Sequence, residues 1–276
     1  MTAFRRVARA GVVVPAHDEE ELLPACLAAL RTAAGAAGVP VRLLVVADAC
    51  SDATAAVAAA AGAEVIRIRA RNVGAARAAG MARLLRRMEG TNPAAPGLAT
   101  AGLATTWLAT TGLATTWLAT PGLATTWLAT TDADTVVPPD WLRRQLGYAD
   151  QGWDVVLGTV TVTDWAGHPP HASAVFAARY EFGAGPHPHV HGANLGIRAS
   201  AYLAAGGFRP LPTAEDHALL AAATEAGCQV LQAADITVET SARRQARAPR
   251  GFSHALRALA AEPGPGSASP AAAGGV

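Results

Sequence analysis

The chain has 276 residues, of which 51% are hydrophobic, and its 22 basic and 21 acidic residues give a formal net charge of +1. This length supports one large domain or two small ones with a full core, and the near-neutral charge argues against a nucleic-acid partner. All the basic residues are arginine, which excludes a Walker-type phosphate loop and Schiff-base chemistry because both need lysine.

The first half of the chain alternates β-branched runs with Ala/Leu-rich amphipathic stretches. Strands are predicted at "GVVVP", "VRLLVVA" and "AEVIRI", and helices over residues 18 to 35, 52 to 61 and 73 to 89. This alternation predicts a parallel sheet covered by helices. Ligands of such sheets bind beyond the carboxyl ends of the strands.

Polar segments follow each of these three strands. Helix capping is one interpretation of Asp18 and Asp52, and we prefer it for Asp52, whereas Asp48 directly follows a strand and comes too early to cap the next helix. We therefore expect Asp48 to contact a ligand. The first strand is followed by "PAHDEE" and not by GxGxxG, which argues against a dinucleotide-binding oxidoreductase.

Next comes a ten-residue phrase written three times over residues 102 to 131, followed directly by the acidic triplet "DAD". The copies are either a structural array or an insertion in which only the last copy matters. Their even period keeps Trp107, Trp117 and Trp127 on one face of a strand, and their Gly and Thr content disfavours a helix. We expect residues 122 to 131 to form a strand and residues 102 to 121 to be a tandem insertion.

The second half begins with a predicted helix near residues 139 to 150 and a strand near 153 to 162, then an irregular region to about 192. A strand at "ANLGIR", a helix at "TAEDHALLAAATEAG" and a strand at "CQVLQAADITVET" follow. Residues 1 to 261 are therefore predicted to form one domain. Residues 262 to 276 are Pro/Gly/Ala/Ser-rich without periodicity, and we expect a disordered tail.

Two pairs of acids carry the chemistry. Alternate residues of a strand face the same side, so Asp132 and Asp134 can converge on one cation. Glu215 and Asp216 open a predicted helix, where acids are also favoured by the helix dipole alone. Both a catalytic and a purely structural role of this second pair therefore remain open at this point.

The cysteines and the hydrophobic runs indicate the compartment. Cys26, Cys50 and Cys228 are far apart without CxxC spacing, which suggests neither a disulfide framework nor a thiolate zinc site. No apolar run resembles a signal-peptide core or a membrane span. A soluble, cytoplasmic protein is expected, with peripheral attachment at the inner membrane face as an alternative.

Five motifs in this order resemble those of family 2 glycosyltransferases over about residues 10 to 260: "VVVPAHDEEELLPACL", "VVADACSDAT", "NVGAARAAGM", "ATTDADTVVPPDWL" and "GANLGIRASAYLAAGGFRPLPTAEDHALL". The resemblance implies the GT-A fold, a Rossmann-like α/β domain whose mostly parallel sheet is flanked by helices. It also implies a nucleotide-diphosphate sugar as donor and a hexosyltransferase type of activity.

The resemblance further implies which residues form the donor site. Pro15, Glu19 and Asp48 would surround the nucleoside, with Asp48 on the base edge, and Arg77 would lie near base or phosphate. Asn194, within "HGANLG", would line the donor sugar and the acceptor.

The same resemblance implies a Mg²⁺ or Mn²⁺ site and a base. Asp134 would bind the metal, Asp132 the ribose or a metal-bound water, and His254 would complete the site. Asp216 would be the base, with Glu215 binding the acceptor or stabilising its loop.

Three departures from the family pattern affect these expectations. Asp18 stands where the family usually has Asn and Ala47 where an acid is common, so donor contacts can differ. No QxxRW segment follows the acidic pair, which disfavours a processive synthase. Instead, a basic segment offers anion-binding or merely solvated arginines, namely Arg243, Arg244, Arg247 and Arg250.

The predicted function is the inverting, metal-dependent transfer of one sugar to a hydroxyl or carboxyl group of a small or lipid-like acceptor. The alternative is a degenerate relative that binds a nucleotide sugar without transferring it. A sugar-phosphate nucleotidyltransferase is disfavoured, because it would need a Gly-rich start and a catalytic lysine.

Overall fold

The computed structural model describes residues 6–89, 121–180, 187–243 and 256. These residues contain an eight-stranded sheet with the strand order β3-β2-β1-β4-β7-β6-β8-β5. Its strands are β1 (Arg9–Ala16), β2 (Val41–Asp48), β3 (Glu64–Ile68), β4 (Thr126–Thr130), β5 (Thr135–Val136), β6 (Val155–Thr161), β7 (Leu195–Arg198) and β8 (Val230–Thr240).

Helices cover both faces of this sheet. They are α1 (Leu23–Gly35), α2 (Thr54–Ala60), α3 (Val73–Glu89), α4 (Pro121–Ala124), α5 (Trp141–Asp150), α6 (Ala172–Tyr180), α7 (Ala199–Ala204) and α8 (Glu215–Glu225), with a 3-10 turn at Gly192–Asn194. The predicted helices are present, whereas α4, α6 and α7 were not predicted. None of the described helices is long and apolar enough to cross a membrane.

Strand directions are mostly parallel, as predicted. The strand β1 lies between β2 and β4 and runs parallel to both, and β6 runs parallel to β8. The exceptions are β7, which is antiparallel to β4 and β6, and β5, which is antiparallel to β8.

Successive side chains of the central strands enter different cores. Val12 and Val14 of β1 belong to the core between the sheet and α1 and α5, whereas Val13 faces the core formed with α3, α7 and α8. Both faces of a parallel sheet are buried, so its strands are almost continuously hydrophobic. This burial fixes the strand register, and with it the edge where the strands end.

The last copy of the repeat does not form a strand throughout. Its first residues belong to the helical turn α4, and only Thr126–Thr130 form β4, so the predicted strand over 122 to 131 is too long. Trp127 is fully buried and its indole N–H donates to Gln145 Oε1 at 2.9 Å. The proposed insertion, apart from Pro121, and the proposed tail lie outside the described residues.

Candidate active site

The loops that follow β1, β2 and β3 meet at one edge of the sheet. Asp18, Ala49 and Arg71, one in each loop, have φ values of 53°, 51° and 47°, and Ala214 before α8 has a φ of 59°. Non-glycine residues adopt this left-handed conformation at a cost, which is frequent at functional sites. Their concentration at this edge identifies it as the candidate site.

Asp48 ties two of these loops together. Its Oδ1 accepts the backbone N–H groups of Ala70 and Arg71 at 2.7 and 2.9 Å, and its Oδ2 accepts that of Asn72 at 2.8 Å. The residue is 4% exposed. The carboxylate therefore holds the loop between β3 and α3, a role that we did not predict when we expected a ligand contact.

Pro15 and Glu19 lie at the same edge, at the end of β1 and just beyond it. Pro15 is buried opposite Val46 of β2. Glu19 is also buried, and its backbone N–H donates to Thr54 Oγ1 at 2.7 Å. The Glu19 side chain therefore starts from a fixed backbone.

Arg77 is the centre of a group that we name the Arg77 cluster, formed with Thr130, Asp132 and Glu215, in which only the Asp132 side chain is partly exposed. Its Nε donates to Thr130 Oγ1 at 3.2 Å, its Nη2 pairs with Asp132 Oδ1 at 2.5 Å and its Nη1 pairs with Glu215. Arg77 and Glu215 are almost completely buried. One guanidinium thus joins the end of β4 to the start of α8.

Gly192 is the residue that leaves room for this guanidinium. A Cβ at position 192 would lie 2.5 Å from Arg77 Cζ, a distance that no real contact allows. The Phe208 ring lies on the same guanidinium, with its centroid 5.9 Å from Cζ. The first glycine of "HGANLG", Gly192, is therefore explained by packing against Arg77.

Arg243 forms a second such group, the Arg243 cluster, with Glu19 and Asp134. Its Nη1 lies 2.6 Å from Glu19 Oε2 and its Nη2 lies 3.0 Å from Asp134 Oδ2. The sequence singled out Arg243 only as one of four arginines in a basic segment. Its position 109 residues after Asp134, with no regular spacing, gave no further signal.

The pKa of Asp134 is raised to about 7, chiefly by burial; Arg243 lowers it, and the nearby carboxylates of Asp132 and Glu19 raise it. A buried carboxylate among other acids disfavours its own ionised form. Additional positive charge at this position would therefore stabilise the ionised side chain.

Asp216 lies beside the Arg77 cluster and is half-buried. Its Oδ2 accepts the backbone N–H of Gly192 at 2.8 Å, and its Oδ1 accepts that of His217 at 2.8 Å. Of the two adjacent acids, Glu215 is paired inside the protein, whereas Asp216 is reached by solvent.

A family model described as "Glycosyltransferase like family 2" matches residues 8–260. The chain belongs to this glycosyltransferase family. The match spans all five motifs on which the sequence comparison rested, and it confirms the predicted family. A search among curated proteins gave no significant match.

Solved structures of glycosyltransferases share the fold. Residues 1–349 of S. aureus TarS in complex with UDP-GlcNAc align with a TM-score of 0.56 and 14% identity, over 88% of this chain and 61% of that chain. The mannosyltransferase PcManGT from Pyrobaculum calidifontis, in complex with GDP-Man and Mn²⁺, aligns with a TM-score of 0.53 and 17% identity, over 92% of this chain and 61% of that chain. These similarities confirm the predicted GT-A fold.

In this family 2 glycosyltransferase, Asn194 lies in the core and not in an open cleft. Its side-chain N–H groups donate to the carbonyl oxygens of Thr159 and Ile236 at 2.8 and 3.0 Å, and its Oδ1 accepts the Trp141 indole N–H at 2.9 Å. Both amide hydrogens are thus used within the protein. This arrangement differs from the donor contact that the resemblance implied, and it gives Asn194 a positioning role.

The alternating histidines of the glycosyltransferase stack on one another. The His187 and His189 rings, and those of His189 and His191, have centroids 6.0 Å apart, and Tyr180 stacks on His189 at 3.8 Å. Burial lowers the pKa of His191 to about 4. These contacts are those of an ordinary packed segment. His254, Arg244, Arg247 and Arg250 lie outside the described residues.

Asp132 and Asp134 offer the donor set that a hard divalent cation requires. Carboxylate oxygens are the preferred ligands of Mg²⁺ and Mn²⁺, and after burial, its largest cause, the raised pKa of Asp134 reflects the neighbouring carboxylates of Asp132 and Glu19. The residues at this edge therefore fit such a cation.

Proposed function

We propose that this family 2 glycosyltransferase moves one hexosyl unit from a nucleotide-diphosphate sugar to a hydroxyl or carboxyl acceptor, with metal dependence and inversion. The observation that carries the proposal is the convergence of acids at one sheet edge, where two arginines face a larger number of carboxylates. The acids are Glu19, Asp132, Asp134, Glu215 and Asp216, and the arginines are Arg77 and Arg243.

On the donor side, Asp134 and Asp132 would hold the Mg²⁺ or Mn²⁺ ion. Such a cation offsets the negative charge that develops on a departing diphosphate. Arg243 pairs with Asp134, so this arginine would have to release Asp134 when the ion binds. It would then be available to a diphosphate oxygen, for which guanidinium is a good partner.

The nucleoside would lie over the ends of β1 and β2. Pro15 is buried there and Asp48 fixes the loop at residues 70 to 72, so the floor of this position is rigid. The neighbours of this fold bind UDP-GlcNAc and GDP-Man. A pyrimidine or purine nucleotide sugar is therefore the class to test, and His254 stays a proposed further metal ligand.

On the acceptor side, Asp216 is the proposed base. It is exposed enough to meet an acceptor, while two backbone N–H groups fix both of its carboxylate oxygens. Inversion needs a base on the side of the sugar opposite the leaving diphosphate. Glu215 is held by Arg77, and we assign it the support of this loop. The acceptor is proposed to be a small or lipid-like molecule.

Donor binding measured by calorimetry tests the metal dependence. We expect wild-type protein to bind UDP-GlcNAc or GDP-Man with Mn²⁺ and to lose most of this affinity with chelator. Asp134→Ala should show the weak affinity under both conditions, because it removes a ligand of the ion. Asp164→Ala, an exposed acid in another loop, is the matched control and should behave as wild type.

Equal affinity of the wild type with and without chelator would contradict the proposed metal site. Release of free nucleotide from the same donors, measured in parallel, separates transferase from binding protein. Tight Mn²⁺-dependent binding without any release, over a panel of donors and acceptors, would favour the degenerate relative.

A further inference from the structure

His17, Asp18 and Cys50 form a cluster that lies beside the proposed nucleoside position and has no assigned step in the proposed transfer. One potential ligand atom of each lies within 4.8 Å of those of the other two. His17 and Asp18 follow β1, whereas Cys50 follows β2. Two adjacent loops thus bring an imidazole, a carboxylate and a thiol together.

The His17 ring is oriented as in a metal ligand. Its Nδ1 lies 2.7 Å from the Asp48 carbonyl oxygen, so Nδ1–H donates there and Nε2 carries the free lone pair. A backbone carbonyl on the other ring nitrogen is the usual support of a metal-binding histidine. The Nε2 atom lies 3.7 Å from Asp18 Oδ2.

The Asp18 carboxylate is likewise held by one oxygen. Its Oδ1 accepts the Ser51 N–H at 2.6 Å and the Ser51 hydroxyl at 3.2 Å, which leaves Oδ2 towards His17. The left-handed backbone at Asp18, with a φ of 53°, places this side chain against the second loop. The Cys50 Sγ–H group has two long contacts to acceptors, the carbonyl oxygens of Ala16 at 3.4 Å and Asp48 at 4.0 Å.

We propose that His17, Asp18 and Cys50 bind a zinc-class cation, with a fourth position left for water or another ligand. Zinc takes nitrogen, sulfur and oxygen ligands at about 2.0–2.3 Å, which places tetrahedral ligand atoms about 3.3–3.8 Å apart. The widest pair has to close by no more than about 1.5 Å from its 4.8 Å limit. The thiolate and carboxylate together balance the charge of the dication.

This site differs chemically from the acids of β4. Thiolate and imidazole select zinc, cobalt or copper over Mg²⁺ and Mn²⁺, so the two sites would hold different ions. Arg71 Nη2 lies 3.5 Å from His17 Nε2, and this exposed side chain would have to rotate away. A bound ion would join the loops after β1 and β2, directly beside Asp48.

Cobalt is the probe for this site, because Co²⁺ replaces zinc and its absorption reports a thiolate ligand. One equivalent of Co²⁺ added to untagged, reduced protein should give a thiolate-to-cobalt charge-transfer band and tetrahedral d–d bands. Zn²⁺ should then abolish both. His17→Gln should weaken Zn²⁺ binding at least about tenfold, and Cys50→Ser should remove the charge-transfer band.

Two control variants separate this site from others. Cys228→Ser removes another half-buried thiol, and Asp134→Ala removes the proposed ligand of the hard cation; both should keep the band. Circular dichroism shows whether Cys50→Ser folds, and Cys50→Ala, which also removes the thiolate, replaces it if it does not. Absence of the band from wild type, its survival in folded Cys50→Ser, or an unchanged Zn²⁺ affinity of folded His17→Gln would overturn the proposal.

Discussion

The Arg77 cluster and the Arg243 cluster use the same device at two places. In each, one arginine bridges an acid of the "DAD" triplet to an acid from another element: Arg77 joins Asp132 to Glu215, and Arg243 joins Asp134 to Glu19. The two acids of the triplet thus pair with different arginines, although they lie only two residues apart.

The arginines differ in how firmly the protein holds them. Arg77 projects from the N-terminal part of α3, is 3% exposed and packs against Gly192, whereas Arg243 follows the end of β8 and its side chain is 21% exposed. The comparison teaches that similar ion pairs can serve different purposes. We infer that Arg77 is a fixed part of the scaffold and that Arg243 is an exchangeable counterion.

The largest effect is expected at Asp216, the acid that lies beside the Arg77 cluster but outside it. Asp216→Asn should lower the rate of sugar transfer about 10²–10⁴-fold, because it removes the proposed base and keeps the shape. Donor affinity and thermal stability should stay near wild type. Single-turnover kinetics with a confirmed donor and acceptor, together with calorimetry, measure both.

Glu215→Gln is the matched variant, one residue away. It leaves Arg77 with an uncharged partner in a buried position, so its main effect should be a lower melting temperature. Normal turnover in Asp216→Asn and a stable, inactive Glu215→Gln would exchange the roles of the two residues.

The next effect concerns the arginines themselves. Arg77→Met should cost about 3–5 kcal/mol of unfolding free energy, because Glu215 would remain buried without its partner. Arg243→Met should cost less, and Mn²⁺ should restore the loss by supplying the missing positive charge to Asp134. Urea unfolding with and without Mn²⁺ measures both variants. Equal losses, or equal rescue by Mn²⁺, would remove the distinction between the clusters.

The pH dependence of folding stability and of Mn²⁺ affinity further distinguishes the Arg243 cluster, through Asp134, from the Arg77 cluster. The folded-state pKa of Asp134, raised to about 7, lies above its ordinary value of 3.8. The folded protein therefore keeps a proton that the unfolded chain has lost. This group stabilises the fold fully below about pH 4, and the contribution is lost as the pH rises to about 7.

A metal ion must displace that proton, so Mn²⁺ affinity should fall about tenfold per pH unit below pH 7. Calorimetric titrations between about pH 5 and pH 8 check this. Asp134→Asn should flatten the dependence. A Mn²⁺ affinity that is constant across this range would show that Asp134 is not a ligand.

The smallest effect is expected from the repeats that precede the triplet. Deletion of residues 102 to 121 should change the unfolding free energy by less than about 1 kcal/mol, since loop length enters only logarithmically. It should also raise solubility and preserve donor hydrolysis, because β4 and both clusters keep their sequence. Unfolding of the variant, or loss of donor binding, would show that these residues belong to the working structure.

Local patterns were sufficient to predict most of the fold. The helix α3 was predicted with its observed bounds, because hydrophobic periodicity continues from Val73 to Glu89. The short helix α7 was missed, since its six residues carry too little periodicity. The strand at 122 to 131 was predicted too long, because its Thr-rich pattern concealed the turn α4.

The sequence motifs predicted individual residues of the site, but not the contacts between residues that are far apart in the chain. The motifs placed Asp132, Asp134, Glu215 and Asp216 at one edge of the sheet, but nothing in them paired Arg243 with Glu19, 224 residues away. Asn194 was predicted to contact the donor, yet its side-chain amide donates both of its hydrogens to backbone carbonyl oxygens in the core. Such pairings depend on tertiary packing, which no spacing along the chain records.

The repeat has a consequence for how the chain is made. The strand β1 pairs with β4, beginning with Arg9 opposite Thr126. During synthesis, β1 therefore cannot pair with β4 until a further 117 residues have been made. The pentapeptide "TWLAT" of β4 also occurs at 106–110 and 116–120, so two identical competitors emerge before the native partner. Only that third copy is followed by Asp132 and Asp134, which pair with Arg77 and Arg243, so the three copies are distinguished by these ion pairs and not by the sequence of the strand itself.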